Sequence, residues 1–289
     1  MADVGGLATA PRLPVSVACP RCLGALNLHE ATLVCMACGA AYAVRNGVPL
    51  LFGAPAAEED VDRVQALYDD VAEEYDHVFA PHVLRHYLDK RLGVIREIVP
   101  GGRVLDVGCG TGALAAHVSG AGYVVVGVDA SPGMLSQAAA GSLAGVYAAF
   151  STALPFPDGS FSLAYTVATL HHLETPERVA ATIAEMARVV RRGGHVLLWD
   201  HNPLNPYWPI IMRRVPQDSG SERLVSLGEI LADVRVAGLR TVAARRLGLV
   251  PDFTPANLMP LVRGLERVVE TTPLLRMLAA HNVVIARKD

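Results

Sequence analysis

One short segment constrains the fold more than any other part of the 289-residue chain. An apolar stretch, residues 103–107, runs directly into a turn that carries Gly108, Gly110 and Gly112, and helix-forming residues follow from Ala113. A strand, a glycine turn and a helix in immediate succession form the first half of a nucleotide-binding βαβ unit. The GxGxG spacing differs from the GxGxxG of dinucleotide-binding folds, which disfavours NAD as the ligand. Alone, such a turn is weak evidence of function.

A second apolar stretch, residues 123–128, ends at Asp129, about 20 residues after the glycine turn. At that spacing a carboxylate can reach the ribose hydroxyls of a bound nucleoside. Asp106, just before the turn, can accept hydrogen bonds from an ammonium group of the ligand. Further strands are predicted at residues 161–167 and 195–200, with a helical segment between them. This alternation predicts an α/β fold with a parallel sheet covered on both faces.

Four of the five cysteines lie in the first forty residues. Cys19 and Cys22 form one CxxC pair and Cys35 and Cys38 a second, with twelve residues between the pairs. Each pair is a tight turn, and together they supply the tetrahedral sulfur site that zinc accepts. Four cysteine ligands predict a structural zinc, and two disulfides or redox chemistry are the alternatives. The fifth cysteine, Cys109, has no adjacent base and is not predicted to be a nucleophile.

The composition is that of a folded globular protein, with 52% hydrophobic and 18% charged residues. No apolar run approaches the roughly 18 residues that span a bilayer, and we see no secretory signal, so we expect a cytoplasmic protein without a membrane partner. The formal net charge is −3 and the basic residues do not cluster, which argues against a nucleic-acid partner.

Four ordered segments resemble the motifs of class I methyltransferases that use S-adenosylmethionine (SAM). They are residues 104–112, 128–135, 154–161, and 170–173 followed by 188–194. The resemblance extends roughly from Tyr68 to the C-terminus. It implies a SAM-dependent methyltransferase with a Rossmann-like, seven-stranded sheet whose last strand is antiparallel. The segment that ends near Leu51 resembles the zinc ribbons of the Trm112 type, which support methyltransferases and are not themselves catalytic.

These resemblances predict two domains. A four-cysteine zinc ribbon would occupy residues 1–57 and the methyltransferase domain residues 58–289, with the linker in the proline- and acid-rich stretch 54–62. An aromatic and proline-rich insertion around residues 201–225, which includes Tyr207 and Trp208, would cover the substrate or form a simple packed loop.

The resemblance also implies roles in SAM binding. Asp106 and the glycine turn would bind the amino-acid part of SAM, Asp129 the ribose, and Met134 the adenine. Tyr68 and Tyr75, in a helix predicted before the sheet, would cover the cofactor or pack in the core. The predicted set is Tyr68, Tyr75, Asp106, Gly108, Gly110, Asp129, Ala130, Met134, Ser151, Thr152, Ala153, Leu154 and Thr166.

The adenine site departs from the family pattern. Relatives usually carry an acidic residue about four positions before the Leu-Pro-Phe motif, and this chain has Phe150 there. Adenine recognition is then expected from Ser151, Thr152 or the backbone, while Phe150 either stacks on the adenine or packs in the core.

Three histidines follow strand ends on the side where open α/β sheets bind ligands, namely His171, His172 and His201. If the acceptor is a phenol or hydroxyl, a base helps to remove its proton. We therefore predict His171 and His201 as the base or as substrate contacts, with structural histidines as the alternative.

Three functions remain open. The first is methyl transfer to a hydroxyl, amine or carbon of a small metabolite, such as one of secondary metabolism, by a monomer or homodimer. The second is an rRNA or tRNA base methyltransferase with a zinc module. It is disfavoured because the only arginines or lysines before the linker are Arg12, Arg21 and Arg45, and RNA binding needs positive charge. The third is a silent SAM-fold protein that recruits a partner, disfavoured by the intact glycine turn.

The C-terminal region is predicted to hold two amphipathic helices, residues 258–269 and 274–280, before a last strand at residues 281–286. Leu261, Leu265, Val268 and Val269 recur at helical spacing, and we expect them in the core or on a dimer surface.

Overall fold

The computed structural model describes residues 16–53, 80–139, 143–208, 212 and 222–289. The proposed linker 54–62 and the predicted cofactor-covering residues Tyr68 and Tyr75 lie outside these residues, as does most of the insertion after Trp208.

The N-terminal module is a four-stranded antiparallel sheet in the order β1-β2-β3-β4. Its strands are β1 (Leu26–His29), β2 (Thr32–Cys35), β3 (Ala41–Arg45) and β4 (Val48–Pro49). The turn between β3 and β4 has positive φ at both Asn46 and Gly47, the conformation for which an Asn-Gly pair is favoured in tight hairpins. Leu33 and Tyr42 are buried in the core of the module.

A seven-stranded sheet in the order β10-β11-β9-β8-β5-β6-β7 forms the rest of the fold. Its strands are β5 (Arg103–Val107), β6 (Val124–Asp129), β7 (Gly145–Ala148), β8 (Phe161–Val167), β9 (Val190–His201), β10 (Arg240–Leu247) and β11 (His281–Arg287). Strands β5 to β9 pair in parallel, whereas β11 runs antiparallel to both β9 and β10. The predicted Rossmann-like fold with one antiparallel strand is confirmed.

Six α-helices occur among the described residues. They are α1 (Pro81–Ile98), α2 (Ala113–Gly120), α3 (Pro132–Ala139), α4 (Pro176–Val189), α5 (Leu227–Val236) and α6 (Met259–Thr271). Short 3-10 helices lie at Leu170–His172, Ala256–Leu258 and Leu275–Leu278. Helix α4 illustrates the local signals: Thr175 caps it by accepting a hydrogen bond from the Arg178 amide, and Pro176 occupies its first turn. None of these helices is long and apolar enough to cross a membrane.

The N-terminal module packs directly on the edge of the large sheet. Leu50 and Ala148 form a parallel bridge, and the Leu51 amide donates to the Ala148 carbonyl at 2.7 Å. The Ala18 amide donates to the Pro155 carbonyl at 2.9 Å. The end of the module therefore covers the free edge of β7, and both parts contribute side chains to one hydrophobic cluster.

Candidate active site

The glycine turn after β5 adopts backbone conformations that other residues rarely take. Gly108, Gly110 and Gly112 have φ of +74°, +52° and +82°. A Cβ on Gly108 would collide with the side chain of Thr169, and one on Gly112 would lie 3.0 Å from the Ala138 Cβ. At these two positions the crowding comes from the protein itself.

Asp129 holds this turn in place. Its Oδ2 accepts a hydrogen bond from the Gly110 amide at 2.8 Å, and its Oδ1 accepts one from the Ser131 amide at 2.9 Å. Burial raises the pKa of Asp129, and the two amides oppose that shift. The end of β6 is thereby fixed beside the glycine turn, which is where the sequence placed the ribose contact.

Asp106 is a buried carboxyl in β5, only 3% exposed. Burial raises its pKa to about 7, the neighbouring Tyr165 hydroxyl opposes the shift, and the charge of Asp129 adds to it. One residue further along β8, the Thr166 hydroxyl is buried and has no hydrogen-bond partner among the described residues. A buried carboxyl and an unpaired hydroxyl at the glycine turn suit a ligand that brings a cation and hydrogen-bond donors.

The loop predicted to contact adenine is anchored by helix α4. The Ser151 and Thr182 hydroxyls lie 2.8 Å apart, and the Leu154 amide donates to Glu185 Oε2 at 2.8 Å. Thr152 and Ala153 between them are partly exposed. The Ser151 hydroxyl and the Leu154 amide therefore already have protein partners, which the sequence reasoning did not foresee.

Phe150 packs against the N-terminal module. Its ring centroid lies 5.1 Å from that of Phe52, with the rings tilted by 55°. At the neighbouring strand end, Ala130 is partly exposed, while Met134 in α3 is buried at 2% exposure. The module thus reaches the loop that carries the predicted adenine contacts.

The strand ends of β8 and β9 bring His171 and Asp200 together. His171 Nδ1 lies 2.8 Å from Asp200 Oδ1, and both residues are buried. Asp200 also accepts hydrogen bonds from the Leu170 and His201 amides, each at 2.7 Å. Burial alone would raise the pKa of Asp200, but His171 and these hydrogen bonds hold it below its usual value. Asp200 was not among the predicted site residues.

His201 lies between two other rings. Its ring is 4.2 Å from that of His171 with 17° between the planes, and 3.6 Å from that of Trp208 with 6° between them. Burial, then the neighbouring His171 and His281, lower the pKa of His201 well below its usual value. His201 is therefore neutral at physiological pH, and its imidazole has no carboxylate hydrogen-bond partner among the described residues.

The donor atoms of His171, Asp200 and His201 all lie within 4.8 Å of one another, a spacing compatible with a metal ion. The two imidazole rings stack face to face, however, so their in-plane nitrogen lone pairs point side by side and do not converge on one ion. The arrangement suits proton transfer and packing better than metal ligation.

The wall beside this cluster comes from the start of the predicted insertion. The Trp208 indole donates to the Ala280 carbonyl at 2.5 Å, and Tyr207 donates to Asp252 Oδ1 at 2.6 Å. Asn202 Nδ2 donates to the Met277 and Ala279 carbonyls, both at 2.8 Å. Residues 202–208 are thus fixed to the segment between β10 and β11.

The four N-terminal cysteines converge on one point. Their sulfur atoms all lie within 4.8 Å of one another, with 3.7 Å between Cys19 and Cys38 and 3.5 Å between Cys22 and Cys35. A tetrahedral zinc with bonds of about 2.3 Å requires sulfur separations near 3.8 Å, whereas a disulfide requires about 2.05 Å. All four thiols are free, and the Tyr42 hydroxyl lies 3.1 Å from the Cys19 sulfur. The geometry fits zinc and does not support the disulfide alternative.

Comparison with known proteins decides the family. Residues 105–198 match the model of a methyltransferase domain, and residues 17–47 match that of a Trm112p-like protein. A demethylmenaquinone methyltransferase of Renibacterium salmoninarum is 35% identical over 167 residues, which cover 54% of this chain and 68% of that protein. This chain belongs to the SAM-dependent methyltransferases. It is an enzyme of that class, with a Trm112-like module at its N-terminus.

Other matches of this methyltransferase are partial or more distant. A methyltransferase of Synechocystis sp. is 37% identical over 115 residues, or 39% of this chain, and the chain spans about half (54%) of that relative's length. A solved SAM-dependent methyltransferase of Thermotoga maritima is 21% identical with a TM-score of 0.58, and the match covers 78% of this chain and 99% of that one. This likeness confirms the fold.

Proposed function

We propose that this methyltransferase transfers the methyl group of SAM to a hydroquinone or phenol ring, with His171 and Asp200 as the proton-accepting pair. The observation that carries the proposal is the 2.8 Å contact between His171 Nδ1 and Asp200 Oδ1 at the ligand-binding edge of the sheet. The demethylmenaquinone methyltransferase among its relatives points to the same small-molecule class, because its name specifies a quinone.

The residues around the glycine turn fit the cofactor. Asp106 would accept a hydrogen bond from the ammonium group of SAM, and the Thr166 hydroxyl would donate one to its amino-acid part. Asp129 would bind the ribose and at the same time hold the glycine turn in place. Gly108, Gly110, Ala130, Met134 and the loop from Ser151 to Leu154 would complete the site. When bound, SAM supplies an electrophilic methyl group on a sulfonium.

The pair is arranged as a general base. Because Nδ1 of His171 is hydrogen-bonded to the Asp200 carboxylate, Nδ1 carries the proton and Nε2 is the accepting nitrogen. Asp200 is held in place by two backbone amides and stays ionised, so it stabilises the imidazolium that forms on proton transfer. A phenol that loses its proton becomes a phenolate, which is nucleophilic at oxygen and at the adjacent ring carbon.

His201 would have a different role from His171. A neutral imidazole stacked between His171 and Trp208 has both of its faces covered, so it would hold these two rings in place and would not itself stack on the acceptor. We therefore assign the base to His171 and a positioning role to His201.

For the N-terminal module we propose a single structural zinc ion, held by Cys19, Cys22, Cys35 and Cys38. The sulfur separations support it, and four cysteine ligands leave no open position for substrate. By ordering the module, the metal would support the edge strand β7 and the adjoining loop from Ser151 to Leu154, which we call the adenine loop.

The test has two stages. Calorimetry with S-adenosylhomocysteine establishes cofactor binding, and radiolabelled SAM then reports methyl transfer to 1,4-naphthohydroquinone, to simple phenols and to total tRNA and rRNA. The proposal predicts labelled ring compounds and unlabelled RNA. His195→Gln is the control for substitutions of His171 and Asp200, because His195 lies on the same strand as Asp200 but five residues earlier. Labelled RNA with unlabelled ring compounds would overturn the proposal.

A further inference from the structure

The segment between β10 and β11 presents a broad apolar surface. On helix α6, Leu261, Leu265 and Val268 recur at helical spacing and are 72%, 54% and 52% exposed. The chain then continues with Leu274, which is 79% exposed. We name the whole patch the α6 surface; it comprises Leu258, Leu261, Leu265, Val268, Leu274, Leu275, Met277 and Leu278. Core packing and a dimer surface were the two alternatives for Leu261, Leu265, Val268 and Val269; only Val269 is buried, and the other three are exposed.

Buried polar contacts fix this orientation of the helix. Glu266, on the opposite side of α6, is 2% exposed and accepts from His86 Nε2 and Lys90 Nζ, each at 2.9 Å. Glu270 contacts Lys90 and accepts from the Gly248 amide at 2.6 Å. A helix of a globular protein normally turns its apolar stripe inward. Here the charged side faces the protein, because it is held by ion pairs, and the apolar stripe faces outward.

In the segment between β10 and β11, the acidic side chains face the protein and the basic side chains face solvent. Its carboxylates are occupied within the protein: Glu266 and Glu270 as above, and Asp252 by the Tyr207 hydroxyl. The charged side chains that remain exposed between residues 251 and 279 are all arginines, namely Arg263, Arg267 and Arg276. A chain with a net charge of −3 therefore carries a local surface that is both apolar and positive.

The α6 surface adjoins the active site. Asn202 and Trp208 follow the end of β9. Asn202 donates to the backbone carbonyls of Met277 and Ala279, and Trp208 donates to that of Ala280. The segment that carries the surface thus forms one wall of the region around His201.

We propose that the α6 surface docks the enzyme on an anionic lipid bilayer, so that an acceptor with a lipid tail can pass from the bilayer to His171. Exposed leucines beside arginines are the composition of helices that lie in the interface of such membranes. A second copy of the chain fits less well, since a two-fold interface would bring the same arginines against each other. The sequence led us to expect no membrane partner, but that argument concerned only segments that span the bilayer.

The inference extends the proposed function from a ring acceptor to a lipid-borne one, and vesicle binding tests it separately from catalysis. The full zinc-loaded chain is sedimented with phosphatidylcholine vesicles that contain about 30% phosphatidylglycerol or none. We compare wild type, the pair Leu261→Ser and Leu265→Ser, and the pair Arg263→Glu and Arg267→Glu. Val236→Ser is the matched control, because Val236 is 83% exposed on α5, away from this surface.

Binding to the anionic vesicles should fall about tenfold or more in both paired variants and stay unchanged in the control. Methylation of water-soluble 1,4-naphthohydroquinone should stay unchanged in all of them. Wild-type protein that does not sediment with anionic vesicles, or serine variants that bind as well as wild type, would overturn the inference. Light scattering that shows a wild-type dimer and monomeric serine variants, without vesicle binding, would assign the surface to a second copy.

Discussion

His171 Nδ1 and Asp200 Oδ1 lie 2.8 Å apart, although 29 residues separate them in the sequence. Two neighbouring parallel strands, β8 and β9, end at the same edge of the sheet and create this contact. Because the ends of parallel strands line the ligand-binding edge of open α/β sheets, the pair lies at the edge where our proposal places the acceptor.

Asp200→Asn should separate chemistry from binding. The amide keeps the size of the side chain but cannot stabilise an imidazolium on His171, so kcat should fall by about 100-fold or more. The affinity for S-adenosylhomocysteine should stay within about twofold of wild type, because Asp200 is not placed at the glycine turn. Steady-state kinetics and calorimetry check both quantities, and a drop in affinity with unchanged kcat would contradict the assignment.

Cofactor affinity should depend on pH through Asp106, whose pKa is raised to about 7 by burial. An ionised carboxylate binds an ammonium group better than a neutral carboxyl does. Below pH 7 the folded apo protein holds Asp106 protonated, so affinity should weaken by up to about tenfold per pH unit as the pH falls from 7. Calorimetry at several pH values measures this, and Asp106→Asn should remove the dependence. A wild type whose affinity does not change with pH would refute the role of Asp106.

The raised pKa of Asp106 makes cofactor affinity increase with pH, but it makes the stability of the apo protein decrease with pH. A carboxyl whose pKa is raised on folding binds more protons in the folded than in the unfolded state. Its contribution to the free energy of unfolding therefore decreases as the pH rises from about 4 to 7, by at most about 4 kcal/mol. Thermal unfolding of wild type and Asp106→Asn at pH 5 and pH 8 should show a smaller decrease for the variant. An equal decrease in both would place the titration elsewhere.

Much of the fold could be predicted from local signals. The glycine turn, the carboxylate that ends β6 and the capped helix α4 are each encoded within a few residues, and the predicted strands correspond to β5, β6, β8, β9 and β11. The glycine pair at residues 193 and 194 lies within β9, but as a bulge: Val190 pairs with Phe161 and His195 with Leu163, and Gly193 adopts a positive φ. A glycine pair favours a turn locally, and inside the sheet this preference is met by the bulge.

Contacts between distant segments could not be predicted in the same way. Helical spacing identified the apolar stripe of α6 but not the side of the helix that faces solvent, because that side is set by Glu266 binding residues of α1. The partner of Phe150 was also missed, since Phe52 lies almost one hundred residues earlier. Asp200 could have been found, because the sequence placed it at the end of a strand beside the one that precedes His171.

Removal of zinc should destabilise the whole chain and not only the module, because both parts share one hydrophobic cluster. Cys22→Ser should lose the single zinc and lower the midpoint of one cooperative unfolding transition, with a cost of several kcal/mol. Metal analysis and differential scanning calorimetry measure these effects. Cys109→Ser is the control and should keep its zinc. A Cys22→Ser protein with unchanged zinc content would contradict the proposed metal site.

The contact between Phe52 and Phe150 should couple the module to the adenine loop. A double-mutant cycle with Phe52→Ala and Phe150→Ala should give a coupling energy of about 0.5 to 1.5 kcal/mol in unfolding. Phe52→Ala should also weaken S-adenosylhomocysteine binding, because Phe150 directly precedes Ser151. Additive effects of the two substitutions would show that the rings contribute independently.

The most direct test of the account is chemical rescue of His171→Ala. If the imidazole accepts the acceptor's proton, this variant should transfer methyl groups to 1,4-naphthohydroquinone about 100-fold more slowly than wild type, and added imidazole should restore part of the rate. Its affinity for S-adenosylhomocysteine should be unchanged. A His171→Ala enzyme that turns over at the wild-type rate would contradict the claim that His171 and Asp200 remove the proton.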